Sequence, residues 1–210
     1  ITQLVCMHSP AELVVACLTD PAGRSRWDWL EWLPHTASPF SPLGELHLAA
    51  DAAVGASLVS HLEEIIFQRL QTRPRPRGPL NPTVEETDAM HVPDVVVIVD
   101  QSQVDQARLN RIVESGPDVG VHVIWVAESA SQVPAACRSY LTVSGSESTV
   151  GFVRRSVNAT NVRPENLGLS QVRALAKHMS PMVDAGVPVD DDSDLPRSIS
   201  FISLTGAELA

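Results

Sequence analysis

The stretch PDVVVIVDQ, residues 93–101, decides the fold. Val95 to Val99 are five consecutive apolar residues, four of them valine and all of them β-branched. Such a run suits a strand buried on both faces, as in a parallel sheet. It closes on Asp100, where a buried strand would leave the sheet. Two other stretches share this character. ELVVACLT at 12–19 ends in the turn signal Asp20-Pro21-Ala22-Gly23, and VGVHVIWVAES at 119–129 reads as a third buried strand. Helical segments separate them. Asp51 is a plausible N-cap for a helix reaching about Gln71, with Leu58, Leu62, Ile65 and Ile66 on one stripe. Another helix is expected at about 103–115. Apolar strands alternating with helices argue an α/β fold on a parallel sheet. The strands near 12–19, 93–100 and 120–127 should be adjacent at its centre.

Outward from this frame, residues 1–8 read as the last turns of a helix stopped by Ser9-Pro10. WDWLEWLPH at 27–35 reads as a short helix ended by Pro34. LHLAA at 46–50, YLTV at 140–143 and TVGFV at 149–153 are short strand candidates, and 170–185 carries a helix. Residues 72–92 hold Pro74, Pro76, Pro79 and Pro82 without periodicity and read as a surface loop. An acidic stretch, DDDSD at 190–194, precedes a last strand, SISFISL at 198–204. Residues 1–156 are expected to form one domain, and 157–210 an arm and final strand of that same domain. The chain opens abruptly in ITQLVCMHS and reads as an excerpt of something longer.

Charge and motif content remove several function classes. With 25 acidic against 15 basic residues the net charge is −10, which argues against binding nucleic acid or an anionic membrane through the bulk field. No apolar run approaches the ~20 residues of a membrane span. The seven histidines show no H-x-x-x-H or H-E-x-x-H spacing, so no metal site is expected. G-x-S-x-G is absent, and the aspartates at 190–194 lack the spacing of a calcium loop. Cys6, Cys17 and Cys137 lie far apart in apolar surroundings and read as reduced core thiols.

An apolar strand ending in an aspartate is also the pattern of a Walker B strand, whose carboxylate helps hold Mg²⁺. Here Gln101 follows Asp100, where a glutamate would activate water, and an amide is not a base near neutral pH. The one lysine, Lys177, lies in ALAKHMS, and G-x-x-x-x-G-K-[ST] occurs nowhere. Asp100 is therefore either a Mg²⁺ carboxylate or a strand-end cap. Glu128, at the end of the next strand, could face the same crevice.

The order of motifs resembles the FtsK/SpoIIIE motors, with their RecA-like, P-loop NTPase-type domains. Thr19-Asp20-Pro21-Ala22 occupies the strand-end D-P-K motif without its lysine. Leu33-Pro34-His35 matches L-P-H, and Val97-Ile98-Val99-Asp100 matches Walker B. Gly120-Val121-His122-Val123 through Ala127-Glu128 matches the sensor strand, with Glu128-Ser129 in place of Thr-Gln. The HSP at 8–10, WDWLEWLPH at 27–35 and VPVDDDSDLPRSISFISLTG at 187–206 are similar to the EccC family of actinobacterial type VII (ESX) secretion systems. The resemblance implies a membrane-proximal, degenerate RecA-like ATPase domain whose first strand and phosphate loop lie upstream of residue 1. Asp100 and Gln101 would be a vestigial nucleotide site, and ATP and Mg²⁺ would belong to the intact parent protein. The implied partners are other subunits of the secretion membrane complex and the downstream ATPase domains of the same polypeptide, on the cytoplasmic side of the cell membrane. The alternative is a working NTPase or DNA translocase. For partner contact the exposed candidates are Trp29 or Trp32 of the tryptophan segment and Arg75 and Arg77 of the proline-rich loop.

Overall fold

A computed structural model describes residues 1–72, 92–144 and 147–183. Its centre is a four-stranded, wholly parallel sheet in the order β2-β1-β3-β4, formed by β1 (Leu13–Thr19), β2 (Leu48–Ala49), β3 (Asp94–Asp100) and β4 (Val121–Val126). Helices flank both faces, which makes this an α/β, RecA-like architecture. The three strands foreseen as neighbours are neighbours. Register runs Leu13 beside Asp94 through Thr19 beside Asp100, and Asp100 in turn lies beside Val126. The strand ends that carry the TDPAG and VVIVDQ motifs therefore meet at the carboxyl end of the sheet.

Alternation along the strands divides the core in two. Val14, Ala16, Leu18, Val95, Val97 and Val99 face α3 (Ala52–Thr72) and α4 (Gln106–Ser115). Leu58, Leu62, Ile65 and Ile66 of α3 are buried there, as the stripe requires, and Asp51 caps the helix by accepting from the amides of Ala53 and Val54. Leu13, Val15, Cys17, Val96 and Ile98 face the other way, toward α1 (Thr2–Met7), the tryptophan segment and α5 (Leu169–Met179). Each valine, leucine or isoleucine among these that is removed from water contributes about 1.5–3 kcal/mol.

Several expectations need correction. β4 is not buried on both faces: it is an edge among the described strands, with alternate residues His122, Ile124 and Val126 exposed. The tryptophan segment is one helical turn, α2 (Arg24–Trp27), running into a 3-10 helix at Asp28–Trp32. The three thiols are free, but only Cys17 is a core thiol; Cys6 is exposed and Cys137 half-buried. Burial pushes the Cys17 thiol up, with the Asp100 charge adding to it. The short strands at 140–153 do form, as β5 (Ser139–Ser144) and β6 (Glu147–Phe152), and with β7 (Val157–Ala159) they make a separate antiparallel sheet. The expected last strand and acidic stretch lie outside the described residues, as does most of the proline-rich loop with Arg75 and Arg77.

The end of the sheet opposite Asp100 is tied by Arg69 of α3. Its guanidinium donates to the carbonyls of Val119, Gly120 and Pro93 at 2.9, 3.2 and 2.7 Å. Burial lowers its pKa, and neighbouring Asp94 offsets part of that. Gly120 sits at φ +72° beneath this group. A Cβ there would run into the Asp94 carboxylate and the Arg69 guanidinium.

Candidate functional site

The carboxyl ends of β3 and β4 open onto a cleft of about 380 Å³. Open α/β sheets bind ligands in this place. Its wall includes Arg26, Asp100, Gln101, Gln106, Glu128 and Gln132. Asp100 and Glu128 thus do face the same crevice.

Asp100 is 2% exposed, and its Oδ2 accepts two strong hydrogen bonds. One comes from Arg26 Nη1 at 2.8 Å and the other from the indole Nε1 of Trp27 at 2.7 Å. The turn Asp20–Gly23 delivers both donors. Gly23 N donates to the Asp20 carbonyl and to Asp20 Oδ1, at 3.1 and 2.6 Å, and the chain folds back across the strand end. Gly23 is required for this: a Cβ would collide with the buried Thr19 hydroxyl beneath it. Thr19 Oγ1 has no hydrogen-bond partner among the described residues, and it lies beside Asp100 in register. The sequence foresaw a strand-end carboxylate at Asp100. It missed Arg26 and Trp27, which are 74 and 73 positions away and carry no periodic signal.

Gln101 follows at φ +54°, an uncommon backbone conformation for a side chain other than glycine, asparagine or aspartate. Its side chain is exposed at the cleft. Glu128 lies on the rim, where the Gln132 side chain accepts from the amides of Glu128 and Ser129. The cleft thus combines one ion pair, one exposed carboxylate and three carboxamides. These residues do not fit a Mg²⁺–nucleotide: the carboxylate that would reach the metal is engaged by an arginine. The single lysine stands on α5, its Nζ 5.1 Å from the centre of the Trp32 ring. Among the described residues no group of three or more His, Cys, Asp or Glu side chains is placed to hold a metal ion.

The tryptophans divide between core and surface. Trp29 is 5% exposed and packs with Leu30 and Leu33 against the sheet, so it has little surface left for a partner. Trp27 is half-buried, its ring centre 6.4 Å from that of Trp29. Trp32 is 49% exposed. The segment is clamped from the far side by α5. Arg173 makes a two-pronged ion pair with Asp28, at 3.1 and 2.8 Å, and also donates to the Ser25 carbonyl at 2.8 Å. Val172, Ala176 and Met179 of α5 fill the same apolar cluster.

Two other quoted motifs meet here. His35 Nε2 lies 2.8 Å from the His8 carbonyl, and Ser38 Oγ donates to the Pro10 carbonyl at 3.0 Å. The HSP and LPH motifs are therefore two sides of one contact. His35 is 1% exposed, and burial lowers its pKa against the opposing effect of that hydrogen bond. Since a carbonyl only accepts, Nε2 carries a proton and donates to it.

Fold and cleft together define an α/β protein with a RecA-like parallel sheet whose strand-end carboxylate is held in an internal ion pair. Over 72 residues the chain is 38% identical to the ESX-4 secretion system protein EccC4 of Mycobacterium tuberculosis (strain ATCC 25618 / H37Rv). The aligned stretch covers 29% of this chain and 6% of that protein. No family model matches the chain. No described helix is long and apolar enough to cross a membrane.

Proposed function

We propose that this chain is an ATPase-like module of a type VII secretion motor that positions other parts of the machine and turns over no nucleotide by itself. The carrying observation is the capture of Asp100 by Arg26 and Trp27. A Mg²⁺ ion bound there would have to displace an arginine already paired at 2.8 Å. The carboxylate instead fastens the tryptophan segment to the sheet, and α5 fastens it from the other side. The likeness to EccC4, a secretion system protein, supports the secretion setting; we also propose a place at the cytoplasmic side of the membrane, with membrane-complex subunits and downstream ATPase domains as partners.

Phosphate release from ATP with Mg²⁺, measured on the purified chain, tests the non-catalytic part. The expected rate equals the buffer blank. Turnover above the blank that disappears in Asp100→Ala would instead support an NTPase of the translocase kind. Gln101→Glu should leave the rate at the blank, since the phosphate-binding lysine and loop amides are still missing from this sequence.

A further inference from the structure

The small antiparallel sheet is amphipathic, and much of its apolar face is exposed, with Ser148 buried and Val150 half-buried on it. Paired residues of an antiparallel ladder share a face. The pairs Ser139 with Phe152, Leu141 with Val150, Val143 with Ser148, Phe152 with Val157, and Val150 with Ala159 put a mainly apolar set on one side, with Ser139 and Ser148 its polar members. The other side carries Tyr140, Thr142, Thr149, Gly151 and Asn158. There the Tyr140 hydroxyl donates to Asn158 Oδ1 at 3.1 Å, and its ring lies over Gly151. On the apolar side Leu141, Val143, Phe152 and Val157 remain 54%, 59%, 44% and 54% exposed. Scattered exposed apolar residues need no explanation, but a contiguous face of them on one sheet marks an interaction surface.

The charge around this face identifies what would cover it. Arg138, which precedes β5, and Arg155, between β6 and β7, are both exposed and stand at the same end of the sheet. The carbonyl of Arg138 accepts from Val153 N at 3.0 Å, which holds the two strand ends together. Two copies meeting through this face would bring arginines into one interface, which is unfavourable. The complementary chemistry is an apolar extended segment with acidic residues at one end. The sequence holds that composition: Asp190, Asp191, Asp192 and Asp194, against a single Arg197, followed by SISFISL at 198–204. From Asp194 to Phe201 is seven residues, about 23 Å when extended, close to the ~20 Å of a six-residue strand. The eleven steps along the chain from Val183 to Asp194 can span about 36 Å, enough to cross a domain of this size.

We propose that residues 190–204 dock in cis on the β5–β7 face, the aspartates at the Arg138/Arg155 end and the SISFISL stretch along Leu141, Val143, Phe152 and Val157. This stands on the sheet and the charge pattern, independently of the secretion reading.

Hydrogen–deuterium exchange on the full chain tests it, with amides of β1 and β3 as the internal control. Phe201→Asp should speed exchange across 139–159 by about tenfold while the control amides stay unchanged. The reciprocal change, Val143→Asp, should speed exchange at 198–204. Replacing the four aspartates by asparagine removes no apolar side chain and should reproduce the effect of Phe201→Asp, as should high salt. If Phe201→Asp disturbs the control amides, this variant decides. Unchanged exchange at 139–159 in the asparagine variant would overturn the proposal. So would protection that rises with protein concentration, which assigns the face to a second copy. Protection gained only with phosphatidylserine-containing vesicles would assign it to lipid and overturn it equally.

Discussion

Asp100 is a carboxylate almost wholly withdrawn from water, and its stability contribution depends on the donors supplied by α2. Removing one partner of a buried pair leaves the others unsatisfied, and the exposure of Arg26 softens that loss. Asp100→Ala is expected to cost roughly 2 kcal/mol in urea unfolding, with Asp100→Asn costing less because an amide oxygen still accepts from Trp27. Equal losses for the two would mean that charge contributes nothing. His35 gives a pH signature. Its folded pKa lies below the ordinary value, so the unfolded chain binds the proton first as pH falls. Stability should be level above about pH 6.5 and then drop as acidity rises, by at most about 1.4 kcal/mol per pH unit. Glu63, whose pKa is lowered chiefly by its hydrogen bond from Arg108, titrates in a more acidic window. Comparing unfolding at pH 7.5 and pH 5.5 for wild type and His35→Gln isolates the histidine; parallel losses in both proteins would contradict its assignment. Gly120→Ala, at φ +72° and with the Asp94 carboxylate having to move aside, should cost about 1 kcal/mol or more without touching the cleft. At this scale the sequence placed Asp100 and Leu33-Pro34-His35 but not their partners. Arg26 reaches across 74 positions and the His8 carbonyl across 27, and no local pattern encodes a contact of that kind.

Among the elements, legibility followed periodicity. The β1 and β3 runs and the α3 stripe were readable because burial on two faces, or on one helical face, demands a continuous or 3.6-residue pattern. β4 was misread as fully buried. Its apolar residues look continuous in VHVIWV, yet Ile124 and Val126 face outward at the edge of the described sheet. The antiparallel sheet was seen only as separate short strands, since pairing of β5, β6 and β7 depends on register and not on composition. The docking of α5 was legible only as an arm of the domain. Its attachment now has a mechanism: Arg173 pairs with Asp28 and caps the Ser25 carbonyl, and Val172, Ala176 and Met179 fill the apolar cluster. The ion pair is half-exposed, so Arg173→Ala should lower global stability by only about 1 kcal/mol. Its larger effect should be local. Amides of 169–179 should exchange faster while those of β3 hold, because a helix held by one cluster can open alone. Equal acceleration in α5 and β3 would show that the helix unfolds only with the core.

For the molecule as a whole, the tryptophan segment is where the internal supports converge and where one large side chain still faces out. Asp100 holds it through Arg26 and Trp27, α5 holds it through Arg173, and Trp29 and Leu30 bury it. Trp32, 49% exposed with Lys177 over its ring, is therefore presented on a rigid base. An aromatic side chain on a backbone that is already held loses less entropy on binding, which is how such residues become interface anchors. Trp29, by contrast, belongs to the core. The two should separate cleanly by measurement. Trp29→Ala should destabilise the fold by about 3–5 kcal/mol, as a buried aromatic does. Trp32→Ala should change unfolding stability by less than about 0.5 kcal/mol, the range of ordinary surface changes. If the module works by contact with other secretion-complex subunits, the same Trp32→Ala change should weaken assembly by about 2 kcal/mol or more, the loss expected of a hot spot. Co-purification of the membrane complex and secretion, both measured with the folded Trp32→Ala protein, carry the decision. Normal assembly together with normal secretion would remove Trp32 from the interface and leave the segment a structural strut alone.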